Sequence, residues 1–376
     1  MAMPDSALRR LAAGLFMVGF PRTTPDDDVL ELIDAGIGGV ILFKRNIESP
    51  AQTSALINAL KARARRPLIA AVDQEGGRVA RLRGSPFTAL PPLRTLGKNR
   101  DAAIAHRVGK LLAFEVRAVG FDWDFAPVLD VDTNPKNPVI GDRSLHSDAA
   151  QVARLGVALA QGLEAQGVAS CGKHFPGHGD TDQDSHLDLP RLPHDLERLR
   201  RVELVPFKAY AQAGLASLMT AHVIFEALEK EKPATMSRAA MTDVLRDELG
   251  FNGVIVSDDL EMKAIADHYS IERAVVEGLE AGVDLFLVCH LAQRQRSAID
   301  AVVAAVKSGR LSVERLEHSR ARLAALERRF VHGPEDLLGT LGSAEHRALA
   351  EGLSAAEFVG VDPTERAEVP AESTLL

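Results

Sequence analysis

GVILFKRNIESPAQTSALINALKARARRPLIAAVDQEGGR, residues 39–78, holds a complete strand–helix–strand unit. GVILF (39–43) and LIAAVD (68–73) are short and apolar without polar alternation, the pattern of strands buried on both faces of a parallel sheet. Between them Ser49, Pro50 and Gln52 form a helix start, with a serine N-cap, proline at the first helical position and a capping-box glutamine. The same alternation extends both ways. Further strand candidates lie at 15–20, 123–131, 168–175, 218–225, 254–259 and 283–289. Thr24, before Pro25 and Asp27, reads as another N-cap, and Ser237 opens a helix that Gly250 is placed to stop. Eight strand–helix units in series predict an α/β fold, a TIM-like (β/α)8 barrel. A doubly wound open sheet is the alternative, because periodicity does not reveal closure. After Phe330 the pattern ends. We assign residues 1–333 to one barrel domain and 334–376 to a C-terminal extension, with a short helix at 344–353 and a polar, mobile tail.

The composition narrows the field. Of 376 residues, 46% are hydrophobic and 26% charged, which excludes a disordered, collagen-like or coiled-coil chain. Lys plus Arg is 44 against 52 for Asp plus Glu, and the net charge of −8 argues against a sequence-independent nucleic-acid binder. Cys171 and Cys289 sit in apolar strand contexts and read as reduced thiols, which points to the cytoplasm. No apolar run is long enough to span a bilayer. Arg9 and Arg10 before LAAGLFMVGF imitate a short leader. Pro21, Arg22, Thr23 and Thr24 follow in place of a small-residue cleavage site, so the segment is read as the first barrel strand. A monomer is expected, since no long apolar helix stripe asks for a second copy.

In such a barrel, chemistry gathers where strands end and loops begin. Strand three ends in DQEGGR (73–78), with Arg81 just beyond; its paired glycines allow a tight backbone beside a ligand. Asp73 can accept from a ligand's hydroxyls, or merely close a surface ion pair. After strand four, Arg143 in NPVIGDRS (137–144) can fork onto a ligand oxygen or hold its own loop. Strand five is the richest, with KHFPGHGDTDQDSH at 173–186. Three histidines and three aspartates in fourteen residues suit either a metal site or a histidine acid/base backed by an aspartate, as Asp184 and His186 provide. Strand seven ends Ser257, Asp258, Asp259. Asp259 is placed to N-cap the next helix, which leaves Asp258 facing the barrel mouth.

KHFPGHG followed by DSH, with DQEGGR upstream and SDDLEM downstream, resembles family 3 glycoside hydrolases. The nearest branch is the NagZ-type β-N-acetylhexosaminidases, which remove N-acetylglucosamine from peptidoglycan fragments. The likeness runs from Leu15 to about Leu326. It implies a retaining mechanism through a covalent glycosyl-enzyme, with Asp258 as nucleophile and His186 as acid/base assisted by Asp184. It also implies that Asp73, Arg81, Arg143, Lys173 and His174 hold the terminal sugar, that His222 lines the pocket, and that neither metal nor cofactor is needed. The partner is then a small amino-sugar substrate, with no nucleic acid and no membrane. A retaining glycosidase needs a nucleophile on one face of the anomeric carbon and an acid at the leaving oxygen, and an imidazole that titrates near neutrality can serve as that acid. Three alternatives stay open. They are a metal-dependent hydrolase built on His174, His178 and His186, a family 3 enzyme acting on another β-glycoside or by phosphorolysis, and a sugar-binding barrel without catalysis. The loop at 177–190, with its glycines, is expected to close on substrate.

Overall fold

The computed structural model describes residues 3–185 and 188–356. The eight main strands are β1 (Phe16–Val18), β2 (Gly39–Ile41), β3 (Ile69–Val72), β4 (Trp123–Asp124), β5 (Cys171–Phe175), β6 (Ser217–Thr220), β7 (Val254–Asp259) and β8 (Leu285–Val288). All pair in parallel, in the order β4-β3-β2-β1-β8-β7-β6-β5, with β1 beside β8. Bridges from Trp123 to Ala169 and from Val128 to Lys173 bring β4 against β5. The fold is the TIM-like (β/α)8 barrel that the alternation predicts. Its strands are apolar because both faces are covered: β1, β2, β3 and β8 are buried along their whole length. Inside, Trp123 Nε1 donates to Ser217 Oγ (2.9 Å), which satisfies the indole in an apolar interior.

All the strands but β7 are shorter than the runs that predict them, and in β4 and β6 the departure shapes the barrel mouth. The run at 123–131 is regular only for two residues, because Pro127 has no N–H to donate. The path nevertheless stays beside β5 through bonds from Cys171 N to Ala126 O (2.8 Å) and Leu129 N to Lys173 O (2.6 Å). The run at 218–225 leaves the barrel after Thr220, and Ile224–Phe225 pairs instead with Arg191–Leu192.

The helix starts are partly as predicted. Ser49 Oγ accepts from Gln52 N (3.2 Å) at the head of Pro50–Arg63, but the Gln52 amide oxygen takes Glu48 N (3.0 Å) rather than closing a capping box on Ser49. Thr24 is not a cap. Asp26 is, its Oδ1 accepting from Val29 N (3.0 Å) before Asp27–Ala35, where a carboxylate suits the positive end of the helix.

Beyond Phe330, His332 N bonds Asp122 Oδ1 (3.3 Å), and the helix Ala344–Ala356 packs on Leu93–Asn99. The polar tail expected to be mobile lies outside the described residues. Among the described residues no helix is long and apolar enough to cross a membrane.

Candidate active site

Lys173, near the end of β5, is only 2% exposed, and its ammonium lies between Asp73 Oδ1 (2.8 Å) and Glu75 Oε1 (2.7 Å). Arg143 forks onto Glu75 (Nε–Oε2 3.0 Å, Nη2–Oε1 2.9 Å), and Arg81 Nη2 reaches Asp73 Oδ2 at 3.3 Å. Asp73 and Arg81 from the loop after β3, Lys173 from β5 and Arg143 from the loop after β4 therefore form one network, in which Lys173 joins Asp73 to Glu75. Burial alone would push the Asp73 and Glu75 carboxyls up. Lys173 with Arg81, and Arg143 with Lys173, overcome it and hold both well below the usual carboxylate range. Burial would likewise lower Lys173, yet the two carboxylates raise it above its ordinary value. Gly76 and Gly77 have φ of 106° and 53°, and a Cβ on either would stand 2.8 Å from Pro91 O or Pro92 Cα. Their missing side chains give the tight backbone that the pair of glycines predicts, and the room admits the 90–92 segment.

The ladder between β5 and β6 slips between Gly172 and Phe175, where the Lys173–His174 peptide is cis, and His174 turns towards Asp130. Its Nδ1 donates to Asp130 Oδ2 (2.7 Å), while Asp130 Oδ1 accepts from His174 N (3.1 Å) and His178 N (2.7 Å). Asp130 thereby fixes the imidazole and the turn after it. His178 holds the following loop: Nδ1 meets Thr181 Oγ1 (2.8 Å) and Nε2 meets Ser185 Oγ (2.9 Å). A Cβ at Gly179 would fall 1.8 Å from Val131 O, so only glycine lets the loop pass this close to the chain after β4. Ser185 O accepts from Ala264 N (3.2 Å), which docks the loop after β5 on the segment after β7. Asp184 is half-buried in that loop, and His186 lies outside the described residues.

At the end of β7 the ladder slips between Val256 and Asp259, and Ser257 Oγ accepts the Leu287 N–H (3.0 Å). Asp258 follows, half-buried, with Oδ1 accepting from Asp259 N (2.8 Å). Asp259 does not cap the next helix: Met262 precedes Lys263–Ala266, and Asp259 Oδ1 accepts from Glu261 N (3.1 Å) and Cys289 N (3.2 Å). Four residues are too many for its side chain to reach that helix, so it ties β7 to β8. His222, buried after β6, donates from Nε2 to Asp259 O (3.1 Å) and meets Thr235 Oγ1 through Nδ1 (2.8 Å), steadying the peptide next to Asp258.

Residues 8–326 match the model described as the glycosyl hydrolase family 3 N-terminal domain. The chain belongs to glycoside hydrolase family 3. This family 3 chain is 41% identical over 350 residues to a β-hexosaminidase of Thiobacillus denitrificans, covering 90% of this chain and 94% of the relative. A family 3 β-N-acetylglucosaminidase from Paenibacillus superposes with a TM-score of 0.88 at 41% identity, covering 94% of this chain and 69% of that one. NagZ from Neisseria gonorrhoeae, solved with N-trifluoroacetyl-D-glucosamine, superposes with a TM-score of 0.76 at 34% identity, covering 91% and 98%. The same Neisseria protein has also been solved with a zinc ion.

In the family 3 chain, sequence reasoning named the charged residues of the mouth but not their supports. Glu75 and Asp130 are buried hubs whose signal was only a carboxylate at a strand end, and His178 was weighed as a ligand rather than as a brace. Burial and the neighbouring His174 push His178 down to about 4. The unfolded imidazole takes its proton near 6.5, so stability is full above that pH and is lost as pH falls towards 4. We expect a loss of up to roughly 3 kcal/mol across this window, largely absent in His178→Gln. Denaturant titrations of both proteins at pH 7 and pH 4 check it; equal pH dependence would remove His178 as the source.

Proposed function

We propose that this family 3 enzyme is a retaining exo-β-N-acetylglucosaminidase. Residues 1–333 form the catalytic barrel, and 334–376 are an extension outside the catalytic machinery. Asp258 attacks the anomeric carbon while His186, oriented by Asp184, protonates the leaving oxygen; the histidine then takes a proton from the water that releases the sugar. Asp73, Arg81, Lys173, His174 and the N–H groups that Arg143 does not give to Glu75 hold the sugar's hydroxyls. The single observation that most supports the reading is the Ser185–Ala264 bond, which draws the loop carrying Asp184 onto the segment that follows Asp258. Relatives named β-hexosaminidase support the N-acetyl sugar. The natural substrate we propose is N-acetylglucosaminyl-1,6-anhydro-N-acetylmuramic acid, with or without its peptide, met in the cytoplasm by a monomer during peptidoglycan recycling. The loop at 177–190 closes on that substrate.

The test measures nitrophenol release from the β-N-acetylglucosaminide and the β-glucoside side by side, with and without chelator and with and without phosphate. Turnover should favour the N-acetyl sugar by about 10²-fold or more and survive the chelator. Loss of turnover to the chelator would instead favour a metal site on His174, His178 and His186. Release of sugar 1-phosphate would make the enzyme a phosphorylase.

A further inference from the structure

Asp124 ends β4 beneath the sugar-binding network and is fully buried. Its Oδ1 accepts the Gln74 N–H (2.9 Å). Gln74 is the hub of the loop after β3: its Oε1 accepts from Arg81 N (2.8 Å) and Leu82 N (3.0 Å), and its Nε2 donates to Leu82 O (3.1 Å). Asp124 thus touches, through one residue, the backbone that places Asp73, Glu75 and Arg81. Its second oxygen, Oδ2, has no hydrogen-bond partner among the described residues. The cation that faces it, Lys173, is already held by Asp73 at 2.8 Å and Glu75 at 2.7 Å.

An ionised carboxylate with one hydrogen bond, buried beside two others, is among the costliest arrangements a protein interior can hold. We propose that Asp124 is a neutral carboxylic acid, protonated on Oδ2. It acts as a positioning residue that fixes Gln74 without drawing the Lys173 ammonium away from Asp73 and Glu75. The groups facing it are Asp73 and Glu75 beyond β3 and Lys173 and Cys171 on β5, with Arg143 behind Glu75. Burial raises its pKa well above the ordinary value; the Gln74 N–H and Lys173 pull back, and Asp73 and Glu75 push further up.

The proton itself is independent of the activity, whereas its consequence for turnover rests on the glycosidase reading. Asp124→Asn and Asp124→Ala in the full chain separate the two. Infrared difference spectra of wild type minus Asp124→Asn should show a protonated-carboxyl C=O band. A raised carboxyl also loses stability as pH climbs from its unfolded value near 3.8. Asp124→Asn should therefore melt progressively higher than wild type as pH rises from 4 to 8. Towards the N-acetylglucosaminide, Asp124→Asn should keep kcat/KM within about threefold, while Asp124→Ala, which strands the Gln74 N–H, should raise KM about tenfold with kcat less changed. No infrared band, or an Asp124→Asn protein that melts lower by a margin growing with pH, would overturn the proposal. A wild type inactive on the glycoside would sink the proposed function and leave the infrared and melting results to decide Asp124.

Discussion

Replacing Asp258 with alanine is expected to lower kcat by about 10⁴-fold or more, the scale on which removal of a covalent nucleophile acts. The side chain is half-buried at the end of β7, and the strand end around it is held by bonds of its neighbours besides its own bond from Asp259 N. Ser257 secures β7 to β8, Asp259 bonds the Glu261 and Cys289 N–H groups, and His222 holds the Asp259 carbonyl. Truncation at 258 therefore leaves the strand end braced, and the variant should fold. Chemical rescue separates a lost nucleophile from a damaged site. With azide in the cavity left by Asp258→Ala, the anion attacks the anomeric carbon from the face the carboxylate used, the aryloxide leaves, and an α-glycosyl azide forms from a β-glycoside. Unchanged activity in the alanine variant would dismiss Asp258 as nucleophile. A folded, inactive variant that yields no azide product would point to a supporting role for it.

How far the sequence carried the reading depends on the range of the interactions involved. Strand positions were legible because burial on both faces of a parallel sheet writes itself into short apolar runs, and all eight runs became barrel strands. Closure was not legible, since β1 meets β8 and β4 meets β5 through registers that no local pattern encodes. Asp26 displaced Thr24 as a cap because both residue types suit the position and only the turn geometry chooses between them. At the mouth, Asp73, Lys173, His174 and Asp258 stood out by residue type and motif. Glu75 was quoted within DQEGGR yet given no role, because its partners, Arg143 and Lys173, lie far along the chain. Asp130 and Asp124 were hidden inside a strand-like run, where a carboxylate looks like an exception to burial until its partners are seen. The tight backbone at Gly76 and Gly77 was legible from the pair of glycines, but what they make room for, Pro91 and Pro92, was not, nor was the approach of Gly179 to Val131, because these neighbours lie well away along the chain.

Lys173→Met should destabilise the protein by about 3–5 kcal/mol at pH 7 and reduce kcat/KM by roughly 10²–10³-fold. The methylene stem is kept, so most of the packing stays. What disappears is the ammonium between two carboxylates that are themselves nearly inaccessible, Glu75 at 1% and Asp73 at 15% side-chain exposure. Arg143 still serves Glu75 and Arg81 still serves Asp73, but neither bridges the pair. The pH dependence follows from the direction of the shifts. Asp73 and Glu75 are depressed in the folded protein, so the stability they share with Lys173 is present above their unfolded values of 3.8 and 4.5 and is lost as pH falls through the folded ones. Without Lys173 these carboxyls move up, the network binds a proton at neutral pH, and the deficit of the variant should shrink as the solution is acidified. Urea unfolding of wild type and variant at pH 7 and pH 3 measures that change. Adding Asp73→Asn to Lys173→Met should recover part of the loss at pH 7, because the remaining buried carboxylate, Glu75, keeps the Arg143 fork while Arg81, the more exposed of the two guanidiniums, turns to solvent. A deficit equal at both pH values, with no recovery in the double variant, would mean that Lys173 acts by filling space, and the charge network would lose its claim to hold the sugar.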